Sequence, residues 1–97
     1  MEYVWDKRKN EINLAKHEID FVDAHRVFVT PVLTTLDDRF DYGEDRWVGL
    51  GLLDERVVQI VFTEPDDDTR RIISLRKAVQ HERKQYERFL QDQLGAS

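Results

Sequence analysis

The arginines of this sequence are the residues whose type and spacing are best suited to chemistry. Arg70, Arg71 and Arg76 stand close together in the last third of the chain, and Arg46 lies in an earlier apolar segment. A guanidinium group is planar, stays charged at physiological pH and can hold two oxygens of one phosphate. The spacing therefore predicts an anion-binding site around the end of one strand.

Cleavage of RNA without a metal ion is a reaction that such a site could carry out. A base must remove the proton of a 2′-hydroxyl group, and cations must stabilise the charge that develops on the phosphate. Glu44 and His17 are candidate bases, and the arginines are candidate cations. His81 and Tyr86 are candidate proton donors if the last helix presents them. Ordinary solvation and ion pairing of these charged residues is the alternative.

Other kinds of site fit the sequence less well. The chain lacks a glycine-rich phosphate loop, and its three histidines are too scattered for a zinc site. The acidic segment 37–45 does not match the calcium-loop template, and Tyr42-Gly43 within it predicts a polar hairpin connection instead. We therefore expect no metal and no cofactor; a metal-dependent nuclease that uses this segment is a further alternative.

Length and composition predict a single soluble domain, residues 1–97. The sequence has no apolar run long enough to span a bilayer, and its N-terminus lacks the apolar core of a signal peptide. It also has no cysteine, which excludes disulfide bonds and thiolate metal sites. These features predict cytoplasmic residence and no membrane partner.

The net charge of −5 is unevenly distributed along the chain. Residues 37–69 carry a net charge of −8, whereas residues 70–97 carry +4. A chain that is acidic as a whole is a poor general binder of nucleic acid, but a local basic surface can still hold one phosphate chain. The acidic middle of the chain could face its own basic end or a basic partner.

Capping residues and the alternation of apolar and polar residues predict the secondary structure. Asp6 and Asp20 are suited to begin helices, because their carboxylates can accept backbone hydrogen bonds of the first turn. Gln59 and Thr63 fall on the second, partly open face of strand 57–63. The predicted elements are, in order, strand 2–5, helices 7–16 and 21–28, strands 32–36, 46–53, 57–63 and 70–76, a helix from residue 77, and a frayed tail at 95–97.

The order β-α-α-β-β-β-β-α predicts an α+β fold. Short turns between the later strands imply an antiparallel meander, with two N-terminal helices and one C-terminal helix packed on it. We expect all three helices on one face of the sheet, which leaves the other face for a site. Arg71 and Arg76 would lie on opposite faces of a regular strand, so both serve one site only if the strand bends or ends before Arg76.

Several short motifs follow one another along residues 3–90. They are WDKRKNEINLAKHEIDF from Trp5, Ala24, Tyr42-Gly43-Glu44 with Arg46, Gly51, Thr63-Glu64, RIISLRKA from Arg71, and Glu82-Arg83 with Tyr86. In their order and spacing, the chain resembles the BrnT-type toxins of bacterial type II toxin–antitoxin systems.

The resemblance implies a RelE-like fold and a ribonuclease that inhibits translation by cutting RNA. It also implies a cognate antitoxin, with a ribbon-helix-helix DNA-binding part, that neutralises the toxin in a hetero-oligomer and binds promoter DNA only through that complex. By position, the implied catalytic candidates are Glu44, Arg46, Arg71, Arg76 and His17. The candidate RNA-binding residues are Arg70, Lys77 and Lys16.

Three features depart from the family pattern. Leu75 stands where a small residue, often alanine, is usual, so the packing beneath the arginines differs. Glu18 stands where family members commonly have glycine, and if this position needs a left-handed backbone, glutamate costs on the order of 1 kcal/mol. The net acidity is also unusual for a toxin that cuts RNA. It leaves room for a weakened or specialised toxin. The acidic region 37–69 favours, as an alternative, a non-catalytic toxin-like partner or co-repressor that only binds a basic antitoxin-like protein.

Overall fold

The computed structural model describes residues 1–95, in which each predicted helix and strand is present in the predicted order. The elements are β1 Glu2–Trp5, α1 Lys7–His17, a 3₁₀ turn Phe21–Asp23 that continues into α2 Ala24–Val27, β2 Leu33–Asp37, β3 Arg46–Leu53, β4 Arg56–Asp66, β5 Thr69–Lys77 and α3 Gln80–Gly95. The expected tail lies partly in α3, which includes Gly95, and partly outside the described residues. No helix among the described residues is long and apolar enough to cross a membrane.

The five strands form one mixed sheet in the order β1-β5-β4-β3-β2. β2 to β5 are the antiparallel meander that the short turns predict. β1 differs, because it pairs in parallel with the first half of β5, from Glu2 opposite Thr69 to Trp5 opposite Ile72. Parallel neighbours need a long connection, and here the whole intervening chain provides it.

One face of the sheet, here called the helix face, packs against the N-terminal helical segments. β4 contributes the alternating residues Val58, Ile60 and Phe62 to this core. Gly51 of β3 allows α2 to approach closely, since a Cβ atom at this position would lie 2.7 Å from Cγ1 of Val27. The other buried members of the core are Phe21, Ala24, Leu53, Ile72 and Leu75.

α3 lies on the opposite face of the sheet, so the expectation that all three helices share one face is wrong. Gln59 alternates with the core residues of β4 and therefore points away from the helix face. Its Nε2 atom donates a hydrogen bond to Oε2 of Glu82 in α3, at 2.8 Å. Because only Ala78 and Val79 separate β5 from α3, the helix must lie close to the end of β5.

A β-bulge interrupts β5 at Ile73. Phe62 of β4 pairs with Ile72, but the adjacent Val61 pairs with Ser74, so Ile73 is an extra residue on β5. A bulge of this kind shifts the alternation of the side chains that follow it by one position.

The bulge places Arg71 and Arg76 on the same face of the sheet. Arg71 lies opposite Thr63, and Arg76 lies opposite Gln59. Paired residues point to the same side, and Thr63 and Gln59 are four positions apart on β4, so they also share a side. The bulge thus supplies the bend before Arg76 that a shared site requires. We call this side of the sheet, which carries Arg46, Arg71 and Arg76, the arginine face.

α1 covers the part of β5 that β1 does not reach. Nδ2 of Asn13 donates to the backbone oxygen of Leu75 at 2.8 Å, and the backbone nitrogen of Leu75 donates to Oδ1 of Asn13 at 3.2 Å. One buried amide therefore satisfies both polar groups at an open strand edge. The contact fixes α1, and with it His17 one turn later on the same helix side, beside the end of β5.

Glu18 ends α1 in the left-handed conformation, with φ 60° and ψ 26°. We expect Glu18→Gly to raise the free energy of unfolding by about 1 kcal/mol, because glycine adopts this geometry without the penalty of a Cβ atom. Urea denaturation measures the change. Glu11→Gly is the matched control in the middle of the same helix, where glycine should lower the free energy of unfolding by about 1 kcal/mol. Changes of the same sign in both variants would contradict the expectation.

Candidate active site

Three polar side chains form one row across the arginine face. Trp47 of β3 pairs with Phe62 of β4, so the preceding residue Arg46 lies beside Thr63. Thr63 pairs in turn with Arg71 of β5. Adjacent strands are about 4.8 Å apart, so the backbones of Arg46 and Arg71, with β4 between them, are separated by about 10 Å. The long side chains of the two arginines can span this distance and meet on one phosphate group. We call Arg46, Thr63 and Arg71 the arginine row.

The connection between β2 and β3 lies against this row. The ring of Tyr42 stacks on Arg46, whose Cζ atom is 3.9 Å from the ring centroid. Glu44 contacts Arg71, with 3.8 Å between Oε1 and Nη1. The structure therefore brings together three of the residues that the sequence nominated as catalytic, Glu44, Arg46 and Arg71.

Asp37 anchors the connection at its start. Its side chain is only 4% exposed and accepts hydrogen bonds from Nε and Nη2 of Arg39, at 2.8 and 3.0 Å. These bonds lower the pKa of Asp37 to about 2, against the opposing effect of burial. The carboxylate is thus ionised and already paired. Within residues 1–95 there is no group of three or more His, Asp or Glu side chains that could hold a metal ion.

Arg76 lies at the other end of the arginine face, where its guanidinium group forms an ion pair with Glu82 of α3. Its Nη1 and Nη2 atoms donate to Oε1 and Oε2 of Glu82, at 2.9 and 3.0 Å. The stretch of strand between Arg71 and Arg76 corresponds to about 15 Å. The two arginines therefore share a face but hold different positions along it.

His17 lies at the Arg76 end of the site and away from Glu44. Burial lowers the pKa of its imidazole, and the nearby charges of Lys16 and Arg76 lower it further. A histidine with a lowered pKa is neutral at pH 7 and can accept a proton there. Lys16 is exposed on the same end of α1.

Comparison with known proteins identifies the family. A profile of the family described as "Ribonuclease toxin, BrnT, of type II toxin-antitoxin system" matches residues 5–82. The chain belongs to the BrnT family. The 1.1 Å crystal structure of the Brucella abortus ribonuclease toxin, BrnT, has a similar fold, with a TM-score of 0.65 and 26% identity over 82% of this chain and 99% of that chain. No curated protein sequence matches this chain significantly. The resemblance and the α+β fold predicted from the sequence are confirmed.

Arg70 and Lys77 of this BrnT chain lie on the helix face, away from the arginine row. Cζ of Arg70 is 4.0 Å from the ring centroid of Phe28, and Nη1 of Arg70 donates to the hydroxyl of Tyr3 at 3.0 Å. Lys77 pairs with the core residue Val58 and therefore points to the same side. Arg70 thus has a packing role, and the structure does not bring these two predicted RNA-binding residues to the arginine face.

The two proposed proton donors on α3 differ in their availability. Tyr86 is fully buried, and its hydroxyl donates to the backbone oxygen of Pro31 at 2.7 Å. Burial raises the pKa of this hydroxyl, so Tyr86 is a structural residue of the BrnT fold. His81 is exposed and borders a small hollow of about 90 Å³ beside Gln59 on the arginine face.

Sequence reasoning gave no role to Thr63, although the structure places it between the two arginines of the row. The signal was present in part, because alternation along β4 put Gln59 and Thr63 on the partly open face of that strand. The sequence pattern does not give the register of β4 with β3 and β5, and this register determines which side chains are the neighbours of Gln59 and Thr63.

Proposed function

We propose that this BrnT chain is an endoribonuclease that cleaves RNA by acid–base chemistry without a metal ion and so inhibits translation. Glu44 is the general base, and Arg46 and Arg71 hold the phosphate at which the strand is cut. The observation that carries the proposal is the meeting of a carboxylate with two arginines on one face, at 3.8 Å for Glu44 and Arg71. A base beside preorganised cations is what cleavage at a phosphate requires.

The proposed reaction is an internal transfer at one phosphodiester. Glu44 takes the proton of the 2′-hydroxyl, the 2′ oxygen forms a bond to phosphorus, and the bond from phosphorus to the 5′ oxygen breaks. Water protonates the departing 5′ oxygen, and Glu44 returns its proton to the resulting hydroxide. The products are a 2′,3′-cyclic phosphate and a 5′-hydroxyl. Arg46 and Arg71 stabilise the extra negative charge on the phosphate between these states.

The ion pair between Glu44 and Arg71 is weak enough for RNA to replace it. The side chains of Arg71 and Glu44 are 47% and 39% exposed, and exposed pairs contribute little to stability. A phosphate that takes the place of the carboxylate on Arg71 leaves Glu44 next to the bound nucleotide. Glu44 is then placed to act on the neighbouring 2′-hydroxyl.

Arg76, His17 and Lys16 serve a second position along the RNA in this proposal. Arg76 lies at the α3 end of the arginine face, roughly 15 Å from Arg71 along the strand, and His17 and Lys16 end α1 beside it. This separation is too long for one phosphate and suits a neighbouring nucleotide. Their role is to position the RNA, and Glu82 holds the guanidinium of Arg76 in a fixed orientation for it.

An antitoxin is the expected protein partner, since the family is described as part of type II toxin–antitoxin systems. We propose that this antitoxin has a ribbon-helix-helix part, neutralises the toxin in a hetero-oligomer and carries the complex to promoter DNA. The neighbouring reading frame gives a direct check. A short ribbon-helix-helix protein that copurifies with this chain supports the assignment, and a neighbour that does not bind the chain contradicts it.

Residues 37–45 and 64–68 contain nine carboxylates and one arginine, and we call them the acidic end of the sheet. We propose that a basic segment of the antitoxin binds to this acidic end. Glu44 and Asp45 of the first segment and residues 64–67 of the second line a cleft of about 630 Å³ that also borders Thr63. The acidic end repels RNA phosphates and attracts lysine and arginine side chains. A partner that binds there would block access of RNA to the arginine row. The acidic end is also the feature that favours the alternative, in which the protein binds a partner and has no catalytic activity.

A comparison of two adjacent arginines tests the catalytic proposal. We expect purified, antitoxin-free protein to cleave labelled RNA in the presence of EDTA, and Arg71→Ala to reduce the rate by about 100-fold, because it removes a cation from the developing charge. Since Arg71 is about half exposed, the free energy of unfolding should change by no more than about 0.5 kcal/mol. Arg70→Ala is the control on the helix face, and it should lower stability while the folded fraction stays active.

The same assay separates the alternatives. The ribonuclease proposal is wrong if folded wild-type protein leaves RNA intact both with and without divalent metal. If that protein still binds the antitoxin, the non-catalytic role is supported instead. Activity that disappears in EDTA points to the metal-dependent nuclease, and full activity in Arg71→Ala removes the assignment of this arginine.

A further inference from the structure

Two polar side-chain atoms in the arginine row are buried without a hydrogen-bond partner. Among residues 1–95 they are Nε of Arg46 and Oγ1 of Thr63. Thr63 is only 1% exposed. Buried polar groups are nearly always paired in native proteins, so an unpaired one calls for an explanation such as an absent ligand. Two such atoms on residues that are neighbours across adjacent strands point to one common ligand.

A hydroxyl group is not needed at position 63 for packing. β4 directs Val61, Gln59 and Val57 to the same face. The nearest of them, Val61, is apolar, and valine differs from threonine in having a methyl group in place of the hydroxyl. Valine is also a good strand former. A threonine that neither donates nor accepts a hydrogen bond in the free protein therefore lowers stability relative to valine. We therefore expect the Thr63 hydroxyl to form its hydrogen bond with a bound ligand.

We infer that Thr63 is a substrate-binding residue, whose hydroxyl donates a hydrogen bond to the RNA phosphate held between Arg46 and Arg71. Nε–H of Arg46 donates to the same phosphate. The inference rests on the proposed ribonuclease function and adds a neutral donor to its two cations. Phosphate oxygens accept hydrogen bonds, and the row offers them donors from three adjacent strands.

The contacts of the row in the free protein fit this assignment. Tyr42 holds Arg46 against the sheet, because its ring stacks 3.9 Å from Cζ. Glu44 places a carboxylate, which resembles a phosphate in charge and in its oxygen acceptors, against Arg71 at 3.8 Å. In the inferred complex a phosphate takes over this position. Because both unpaired donors are shielded from solvent in the free protein, it reaches them only as the surrounding side chains shift.

Thr63→Val tests the inference, because it removes the hydroxyl and keeps the shape. We expect the variant to bind a 2′-O-methyl RNA octamer, which cannot be cleaved, about 10-fold more weakly than wild type, as for one lost hydrogen bond to a charged group. KM for cleavable RNA should rise by the same factor. The melting temperature should stay equal or rise, since the lost hydroxyl has no partner in the free protein. Thr63→Ser should restore binding.

Thr35→Val is the matched control. Thr35 is exposed and lies opposite Val48, on the same face but outside the row, so its substitution should leave binding and cleavage unchanged. Wild-type binding and cleavage in Thr63→Val would overturn the inference but leave the ribonuclease proposal intact if Arg71→Ala is still impaired. Failure of wild-type protein to bind or cleave RNA would overturn both.

A measurement on wild-type protein decides the matter if Thr63→Val does not fold. In NMR spectra, the Nε–H resonance of Arg46 should shift when the octamer is added, because this group gains an acceptor. The control resonance is Nε–H of Arg70, which already donates to Glu64 on the other face at 3.1 Å. An Arg46 signal that stays in place while the octamer binds would overturn the inference.

Discussion

Glu44→Gln is expected to reduce RNA cleavage by about 1,000-fold, the largest loss of activity for any single substitution in the site. Glutamine keeps the size and polarity of glutamate but cannot take the proton of the 2′-hydroxyl. RNA binding should stay the same or become tighter, because the variant also removes the anion that contacts Arg71 at 3.8 Å in the free protein. Single-turnover cleavage with saturating enzyme measures the chemical step apart from binding.

Asp45→Asn is the matched control, since Asp45 is an exposed carboxylate next to Glu44 in the same connection. It should cleave RNA within about twofold of wild type, because removal of a nearby negative charge affects only the long-range potential. His17 is the competing base. If Glu44→Gln remains active while His17→Gln loses activity, the base role passes to His17, which lies near Arg76.

The pH profile gives an independent distinction between the two bases. A general base loses its activity as the pH falls through its pKa, because the protonated form cannot accept a proton. The pKa of His17 is lowered from 6.5, chiefly by burial. A histidine base would therefore give a rate that falls at some pH below 6.5, and His17→Gln would abolish this fall. Carboxylates ordinarily become protonated about two pH units lower than histidine, so a carboxylate base keeps its activity in more acidic solution.

Local patterns were sufficient to predict the helices and strands of this chain. Arg46–Leu53 has the predicted bounds, since an acidic connection and a tight turn enclose an apolar segment that favours a strand. Asp6 and Asp20 cap their helices as predicted, by accepting hydrogen bonds from the backbone nitrogens of Lys9 and Val22. In these cases the residues that determine where a helix or strand begins and ends lie within a few positions of that boundary.

The faces of the sheet could not be predicted in the same way. No glycine or proline marks the bulge at Ile73, yet one inserted residue moves each later side chain of the strand to the other face. Arg71 and Arg76 therefore lie on the same face of the sheet, against the expectation from regular alternation. The parallel pairing of β1 and the position of α3 likewise depend on contacts between distant parts of the chain.

The candidate site shows the same limit. Glu44, Arg46 and Arg71 could be nominated by residue type and family resemblance, and the structure places them together. Thr63 could not, because whether a hydroxyl has a partner depends on the register of three strands. Arg70 and Arg71 were both predicted as site residues. Adjacent residues of a strand point to opposite faces of the sheet, however, so only one of the two can line a given site.

Glu82→Ala is expected to cause the largest loss of stability, about 3 kcal/mol in the free energy of unfolding. The Glu82 side chain is 9% exposed, and it accepts hydrogen bonds from Arg76, Gln59 and the backbone nitrogen of Val79. Its removal leaves a partly buried guanidinium without its counter-charge and the first turn of α3 without its cap. Urea denaturation measures the loss. Glu87→Ala is the control at an exposed position of the same helix and should change stability by no more than about 0.5 kcal/mol.

The pH dependence of the difference between wild type and Glu82→Ala identifies its origin. Burial alone would raise the pKa of Glu82, but the hydrogen bonds from Arg76 and Val79 outweigh it and lower the pKa below 4.5. A carboxylate with a lowered pKa stabilises the folded state fully above its ordinary pKa, and this stabilisation is lost as the pH falls through the folded-state value. The difference between the variants should therefore be constant from pH 7 to about 5 and shrink in more acidic solution. A difference that does not depend on pH would mean that Glu82 acts through packing alone, and Arg76 would then be free to leave it for a phosphate.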